Sequence, residues 1–450
     1  MLFRSLVQNG QISPLELTQL YLDRIAQIDP QVGAFFLVSA DRALAVATAQ
    51  TTQLQKSADL PPLFGLPTGI KDLNPVAGLP CSYGVAALKD QVAKTDDGIA
   101  TLVQQAGFNI LGKTATPELA SFPYTEPAGW PPTRNPWNLD YTPGGSSGGA
   151  AAAVAAGLLP MAVGSDGGGS LRGPAHCCGL VAIKPTRGRV SDAPTGDRLS
   201  GLAINGPLAR NVTDAAMLLD ALAQRLPGDL YCLPNPVTSF EAAAQQAPGS
   251  LRIAVCKSFP PFTNLDPTYG TAIDRVADIL SNLGHHLSTV TLEAGALVEP
   301  FTTVWQTAVA ASGIPLPALC EFNQWLHHRS SSAGEYLNAL YQMQSIARQI
   351  VAQWQNFDVL LAPVYLHPTI KIGAWAQLAP QELMAKIADW VSPCPIFNAT
   401  GQPVVVLPVD TTNLPLGVQL VGNLGAEALL ISLAAQLEAQ LPTISYPRLS

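Results

Sequence analysis

A passage that carries almost no charge, residues 143–175, constrains the fold more than any other feature of the chain. It opens with a glycine- and serine-rich cluster, continues through an alanine-rich run and a short apolar run, and ends in a second glycine-rich cluster. Glycine and serine without apolar anchors are typical of a flexible linker, but a linker does not open into a long apolar stretch. The passage therefore predicts a buried helix and a buried strand between two glycine-rich turns.

Short apolar runs alternate with helical stretches along most of the chain. The runs are residues 66–70, 109–111, 158–163, 253–255, 359–363, 404–408 and 417–422. This alternation predicts an α/β fold, in which a single large domain over residues 1–450 has a central mixed, twisted β-sheet covered by helices. Two proline-rich passages, residues 227–236 and 260–267, leave a domain linker open as an alternative.

Composition limits the classes of protein that the chain can belong to. Apolar residues make up 48% and charged residues 12%, which indicates a large core, and a net charge of -8 argues against a nucleic-acid partner. Seven cysteines without a C-x-x-C pair favour buried thiols in the cytoplasm, and no group of His, Cys and carboxylate residues has metal-ligand spacing. Neither a signal peptide nor a membrane span is expected, since the longest apolar run is weakly hydrophobic and contains Pro160.

The second glycine-rich cluster, Gly167, Gly168 and Gly169 followed by Ser170, has the composition of a nucleophile site. Adjacent glycines expose backbone N–H groups that can stabilise the oxyanion of a tetrahedral intermediate. A serine nucleophile needs a base, and His176, the one histidine near the cluster, is better explained as a packing residue. Lys71 is the other candidate, because it ends an apolar strand where burial would lower its pKa. An exposed Lys71 paired with Asp72 is the alternative.

Together these residues resemble the amidase signature family. The matching segments are residues 112–114, 117–118, 133–137, 144–149, 166–172, 184–186 and 206–210, with later similarity at 360–363 and 397–408. The resemblance is densest over residues 64–210, the expected catalytic core. It implies a Ser-cisSer-Lys triad of Ser170, Ser146 and Lys71, with Gly167, Gly168 and Gly169 as the oxyanion hole. Gly167 departs from the family, which commonly has Thr or Ile there, but a backbone donor survives this change.

The resemblance also implies a mechanism and a substrate. Neutral Lys71 would take a proton from Ser146, which takes one from Ser170 as an acyl-enzyme forms on a small carboxamide or other amide, without metal or cofactor. The peptide before Ser146 is expected to be cis, Ser147 to hydrogen-bond without acting in the relay, and Asp166 and Arg172 to form a partly buried pair.

The family also predicts the walls of the acyl pocket. By position relative to the triad the wall residues are Ala120, Ser121, Phe122 and Tyr124, with Trp130, Trp305 and Cys320 as further candidates, and core packing is the alternative for each. A small-molecule amide is the expected partner, and a homodimer is possible in this family.

Four other functions are less consistent with the sequence. Residues 107–114 fit a phosphate loop of a nucleotide hydrolase, but the residues between the glycines resemble a strand. Residues 144–148 fit the nucleophile elbow of an α/β-hydrolase esterase, but Pro143 argues against the strand that an elbow needs, and the later His286 and His367 lack a recognisable setting. The glutamine-hydrolysing subunit of a tRNA-dependent amidotransferase shares the triad, but residues 332–337 lack its tyrosine-rich stretch. The intact triad argues against a non-enzymatic scaffold.

Overall fold

An 11-stranded mixed sheet forms the centre of the protein, as described by a computed structural model for residues 2–57 and 59–449. The strands are β1 Phe35–Val38, β2 Pro67–Lys71, β3 Asn109–Thr114, β4 Met161–Asp166, β5 Val181–Lys184, β6 Ile204–Ala209, β7 Arg252–Cys256, β8 His286–Val290, β9 Val359–Pro363, β10 Val404–Asp410 and β11 Leu416–Gly422. Their order across the sheet is β1-β3-β2-β4-β6-β5-β10-β11-β9-β7-β8. The predicted α/β fold is confirmed.

Helices cover the sheet and form the cavities beside it. They are α1 Leu2–Gln8, α2 Pro14–Val32, α3 Ala40–Leu54, α4 Gly98–Gln105, α5 Gly148–Ala155, α6 Arg172–Cys178, α7 Val212–Leu222, α8 Phe240–Ala243, α9 Pro267–Asn282, α10 Val298–Ala310, α11 Glu321–His328, α12 Ala333–Ala352, α13 Pro380–Val391, α14 Pro393–Ala399 and α15 Glu427–Glu438. Among the described residues, none of these helices is long and apolar enough to cross a bilayer.

The two proline-rich passages do not separate two domains. Strand β6 precedes residues 227–236 and β7 follows them, and both belong to the same sheet. Strand β7 also precedes residues 260–267, and β8 and β9, which follow that passage, belong to this sheet as well. The linker alternative is therefore wrong.

Four strands have no counterpart in the predicted apolar runs: β1, β5, β6 and β8. The edge strand β8 is largely exposed and polar, and β6 contains Pro207, a residue that argues against a strand. Strand β6 lies inside the sheet, paired with β4 and β5, so its position depends on its neighbours rather than on its own propensity.

The uncharged passage forms the predicted helix and strand. Every residue of α5 is buried, and β4 follows it into the sheet between β2 and β6. Small side chains allow α5 to lie close to the sheet: a Cβ added to Gly149 would stand 2.3 Å from the backbone nitrogen of Ala115. Because β4 pairs in parallel with β2, the carboxyl ends of both strands meet at one edge of the sheet. That edge brings Lys71 to the glycine-rich turn after β4.

Candidate active site

Lys71 ends β2 with a fully buried side chain. Its Nζ lies 2.7 Å from the Oγ of Ser146 and 3.0 Å from the Oγ atoms of both Ser147 and Ser165. Burial lowers the pKa of Lys71 to about 7, and the negative charge of Asp166 partly opposes this shift. A substantial fraction of Lys71 is thus neutral near pH 7.

The numbers of hydrogen-bond donors and acceptors distinguish the roles of the three hydroxyls around Lys71. A neutral amine donates two hydrogen bonds and accepts one, so one hydroxyl must donate to Nζ. Ser147 Oγ donates its single hydrogen to the carbonyl oxygen of Ser165 at 3.1 Å, and it accepts from the Ser165 N–H. Ser147 can therefore only accept from Lys71, which leaves Ser146 and Ser165 as possible proton donors. Ser146 has the shorter contact.

Asp72 is not the counterion of Lys71. Its Oδ1 lies 2.9 Å from Nζ of the buried Lys113, and its Oδ2 accepts from the backbone of Ser82. The alternative of an exposed Lys71 paired with Asp72 is therefore wrong. With Asp72 neutralised by Lys113, burial dominates the electrostatics of Lys71.

Ser170 lies between β4 and α6 and borders two cavities. Ser170 is 8% exposed, and its hydroxyl makes no hydrogen bond within the described part of the chain. Ser146 borders one of the two cavities. Its preceding peptide, Gly145–Ser146, is cis as expected. Among residues 2–57 and 59–449, no hydrogen bond joins the Ser146 and Ser170 hydroxyls, although both residues border the same cavity.

A buried ion pair shapes the turn that carries Ser170. Arg172 approaches Asp166 through Nη2 to Oδ1 at 2.8 Å and through Nε to Oδ2 at 2.9 Å, and both side chains are fully buried rather than partly buried. Burial alone would raise the pKa of Asp166, but Arg172 holds that pKa well below its usual range. Asn398 completes the network, since its Nδ2 donates to Asp166 at 2.9 Å.

The carboxylate of Asp166 also changes the composition of the predicted oxyanion hole. Its Oδ1 accepts a hydrogen bond from the Gly169 N–H at 2.8 Å. The inclusion of Gly169 as an oxyanion donor is therefore wrong, because its N–H holds the turn in shape. The N–H groups of Gly167, Gly168 and Ser170 have no acceptor among the described residues. These three can face a developing oxyanion.

An apolar cavity, here called the inner cavity, opens on one side of Ser170. Ala120, Ser121 and Phe122, three of the predicted wall residues, line this cavity together with Trp305 from α10. Ser121 is 7% exposed, and its hydroxyl has no partner within the described chain.

Three of the other wall candidates lie elsewhere. Tyr124 packs between Phe122 and Trp375, Trp130 stacks on Phe36, and the backbone N–H of Cys320 donates to Glu118. None of the three is among the described residues that line the inner cavity. Their aromatic or apolar character indicated burial, which many core positions satisfy equally well.

Two competing motif interpretations fail on the structure. The phosphate-loop segment contains β3, and its Lys113 is bound to Asp72 instead of facing an anion site. The proposed elbow has no strand before it among the described residues: residues 138–143 contain a turn and two isolated β-bridge positions but no strand. His286 is exposed on β8. His367 pairs with Asp389, as an esterase base would, but neither histidine is among the described residues that line the cavities at Ser146 and Ser170, so neither is placed to act on those serines.

Ser165, Lys113 and Asn398 are site residues that sequence reasoning did not identify. Lys113 lies within a segment that matches the family, and Ser165 lies one residue before another such segment. Both are near the carboxyl ends of strands beside β2, so the pairing of those strands would have predicted their position near Lys71. Asn398 lies in the later segment 397–408, whose similarity to the family indicates no role for any single residue.

Comparison with known proteins agrees with this geometry. The model of the Amidase family matches residues 16–431. A Synechocystis sp. protein named in general terms as an amidase is 50% identical over 441 residues, which cover 97% of this chain and 87% of that protein.

Two solved structures share the fold over nearly their whole length. A 6-aminohexanoate cyclic dimer hydrolase complexed with substrate superimposes with a TM-score of 0.91 at 30% identity, covering 98% of this chain and 97% of that one. A bacterial aryl acylamidase of the amidase signature family superimposes with a TM-score of 0.89 at 25% identity, covering 97% and 94%. The chain belongs to the amidase signature family of enzymes, which hydrolyse carbon–nitrogen bonds in amides.

Proposed function

We propose that this enzyme is a serine amidase that cleaves a small carboxamide or other amide bond through an acyl-enzyme on Ser170. The observation that carries the proposal is the buried Lys71 amine, 2.7 Å from the Ser146 hydroxyl, next to the unpartnered hydroxyl of Ser170. The pKa of Lys71, lowered to about 7 by burial, supports the role of a base.

The first half of the reaction forms the acyl-enzyme. As Ser170 Oγ attacks the amide carbon, its proton passes to Ser146 and the Ser146 proton passes to Lys71, which becomes an ammonium ion. The carbonyl oxygen becomes an oxyanion that accepts from the free N–H groups of residues 167, 168 and 170. The relay then returns a proton to the amide nitrogen, the carbon–nitrogen bond breaks, and the amine leaves.

The second half repeats these steps with water. Water gives a proton through the same relay as its oxygen attacks the ester carbon, and the returning proton restores the Ser170 hydroxyl as the acid departs. The net reaction converts an amide and water into an acid and an amine. No step uses a metal or an organic cofactor.

Hydrolysis of glutamine is less consistent with the cavities at Ser170. Free glutamine carries an ammonium and a carboxylate group, and burying either without a charged partner is unfavourable. Among the described residues, those that line the two cavities bordered by Ser170 are all uncharged. The cavities thus favour a neutral amide and a stand-alone enzyme.

Covalent labelling of the nucleophile tests the proposal. A fluorophosphonate probe should label Ser170 in the native protein, and mass spectrometry of the tryptic peptides should locate the adduct. Ser170→Ala should lose both the label and the release of ammonia or amine from a panel of amides, while Ser147→Ala, a change of the same size nearby, should keep labelling. Normal hydrolysis by Ser170→Ala, or an adduct on a different residue, would refute the assignment.

The proposal extends to the setting of the enzyme. A cytoplasmic location is favoured by seven cysteines without a disulfide among the described residues. A homodimer stays a prediction, which sedimentation of the purified protein would check.

A further inference from the structure

The inner cavity is walled by apolar side chains from four helices. Phe301 and Trp305 come from α10, Phe322 from α11, Ile387 from α13 and Pro395 from α14. Besides Ser170, the hydroxyl-bearing side chains among its described lining residues are Ser121 and Tyr365. A neutral, largely apolar group therefore fits this space better than a charged one.

A second apolar cavity, here called the outer cavity, adjoins the inner one. The two share a wall formed by Phe301, Met384, Ile387, Val391 and Pro395. Met384 has an unbranched, flexible side chain that can adapt to a group passing between the cavities.

The outer cavity extends the apolar surface away from Ser170. Its far side is formed by Phe259, Phe262, Ala294 and Leu297. Among the described residues that line it, none carries a charge, and Thr302 and Ser392 are the ones with polar side chains. A cavity of this composition gains binding free energy from apolar groups and none from ionic ones.

We propose that the outer cavity binds an apolar extension of the substrate, so that the natural amide carries a long alkyl or aryl group on one side of the scissile bond. The inference rests on the proposed function, because it assumes that the amide carbonyl lies at Ser170. The occupant is part of the substrate because the outer cavity shares five side chains with the cavity of the nucleophile. A separate protein partner has no comparable connection to the reaction.

Two series of substrates test this directly. One contains 4-nitroanilides of straight-chain acids from acetyl to dodecanoyl, and the other contains N-alkylacetamides of the same lengths. The series whose varied chain enters the outer cavity should show a rise in kcat/KM of about fourfold for each methylene that is buried, up to a plateau. An ω-carboxylate at the end of the longest chain should remove most of that gain.

Substitutions in the outer cavity test whether the dependence of kcat/KM on chain length arises there. Ala388 lines the outer cavity and not the inner one, and it is half-buried, so Ala388→Trp should fill the space with little disturbance of the core. This variant should lower the ratio of kcat/KM for the longest chain to that for acetyl at least tenfold. Val298→Lys, at a 39% exposed position on the same cavity, should also lower the ratio. Ala385 is exposed on α13, the helix that carries Ala388, so Ala385→Trp is the matched control for Ala388→Trp and should leave the ratio unchanged.

The outcomes separate this inference from the proposed function. If Ser170-dependent hydrolysis is independent of chain length in both series, or the ω-carboxylate is equally good, the outer cavity does not bind substrate although the enzyme is a serine amidase. The inference is also wrong if neither Ala388→Trp nor Val298→Lys changes the ratio in a protein that thermal unfolding shows to be folded. Hydrolysis that survives Ser170→Ala would refute both.

Discussion

The charge state of Lys71 should control the rate, and replacing Lys71 with arginine tests this most directly. The relay needs the neutral amine, because an ammonium ion cannot accept the Ser146 proton. With a pKa of about 7, the neutral fraction falls about tenfold for each pH unit below 7. We therefore expect kcat/KM at pH 5 to be about one hundredth of its plateau value, which is reached above about pH 8.

Lys71→Arg should abolish this activity at every pH. The guanidinium group keeps its charge throughout the accessible range, so the variant retains a donor beside Ser146 but has no base. Activity should fall by roughly three orders of magnitude or more, in line with the loss of general base and relay together. Lys71→Met should do the same for a different reason, since it removes the nitrogen altogether.

The assay is the pH profile of kcat/KM from pH 5 to 9 for a neutral amide, whose own ionisation does not change in that range. Lys184 requires a control, because burial also lowers its pKa to about 7. Its Nζ donates to the backbone oxygen of Pro185 at 2.9 Å, so Lys184→Met should keep the inflection of the profile. A flat profile in the native enzyme, or a fully active Lys71→Arg, would show that Lys71 is not the base.

The remaining predictions concern the relay and the buried charges. Ser146→Ala should lower kcat about a thousandfold, whereas Ser147→Ala should lower it far less, and equal losses would show that Ser146 is not specific to the relay. Asp166→Asn should lower the free energy of unfolding, measured in urea, by about 3–5 kcal/mol because Arg172 would stay buried without its partner; an unchanged midpoint would contradict this. His176 has its pKa lowered by burial to about 4, so the unfolded chain binds its proton more tightly between pH 6.5 and 4 and stability should decrease by about 3 kcal/mol as the pH falls through that window. Substituting His176 with Gln should remove this part of the pH dependence, and an identical pH dependence in both proteins would refute it.

Much of the fold was predictable because its determinants are local. Apolar runs of strand length and the buried α5 and β4 follow from periodicity and propensity over a few residues. The strand β6 was missed because Gly206 and Pro207 make its sequence a poor strand former, and β8 was missed because it is largely polar and exposed and has no apolar run. They are strands because a neighbour offers a complementary row of backbone groups.

The identity of the candidate triad was also available from the sequence. Glycine is required where a backbone N–H must be exposed, and serine and lysine in these settings are typical of one chemistry. The structure altered the oxyanion hole, because the Asp166 carboxylate had already engaged the Gly169 N–H. Tyr124 and Trp130 do not line the inner cavity among the described residues, because neither the position of Tyr124 relative to the triad in the family nor the aromatic character of Trp130 determines which cavity a side chain borders.

The sequence by itself determined the class of fold, the family and the residues capable of the reaction, since each of these follows from short segments and their order. Tertiary structure decided how those residues are charged and what surrounds them. Lys71 has a lowered pKa because segments distant in the chain bury its amine, and Asp72 pairs with Lys113 instead of Lys71. Desolvation and charge pairing depend on distances in space, and the order of residues along the chain does not contain those distances until the sheet has formed.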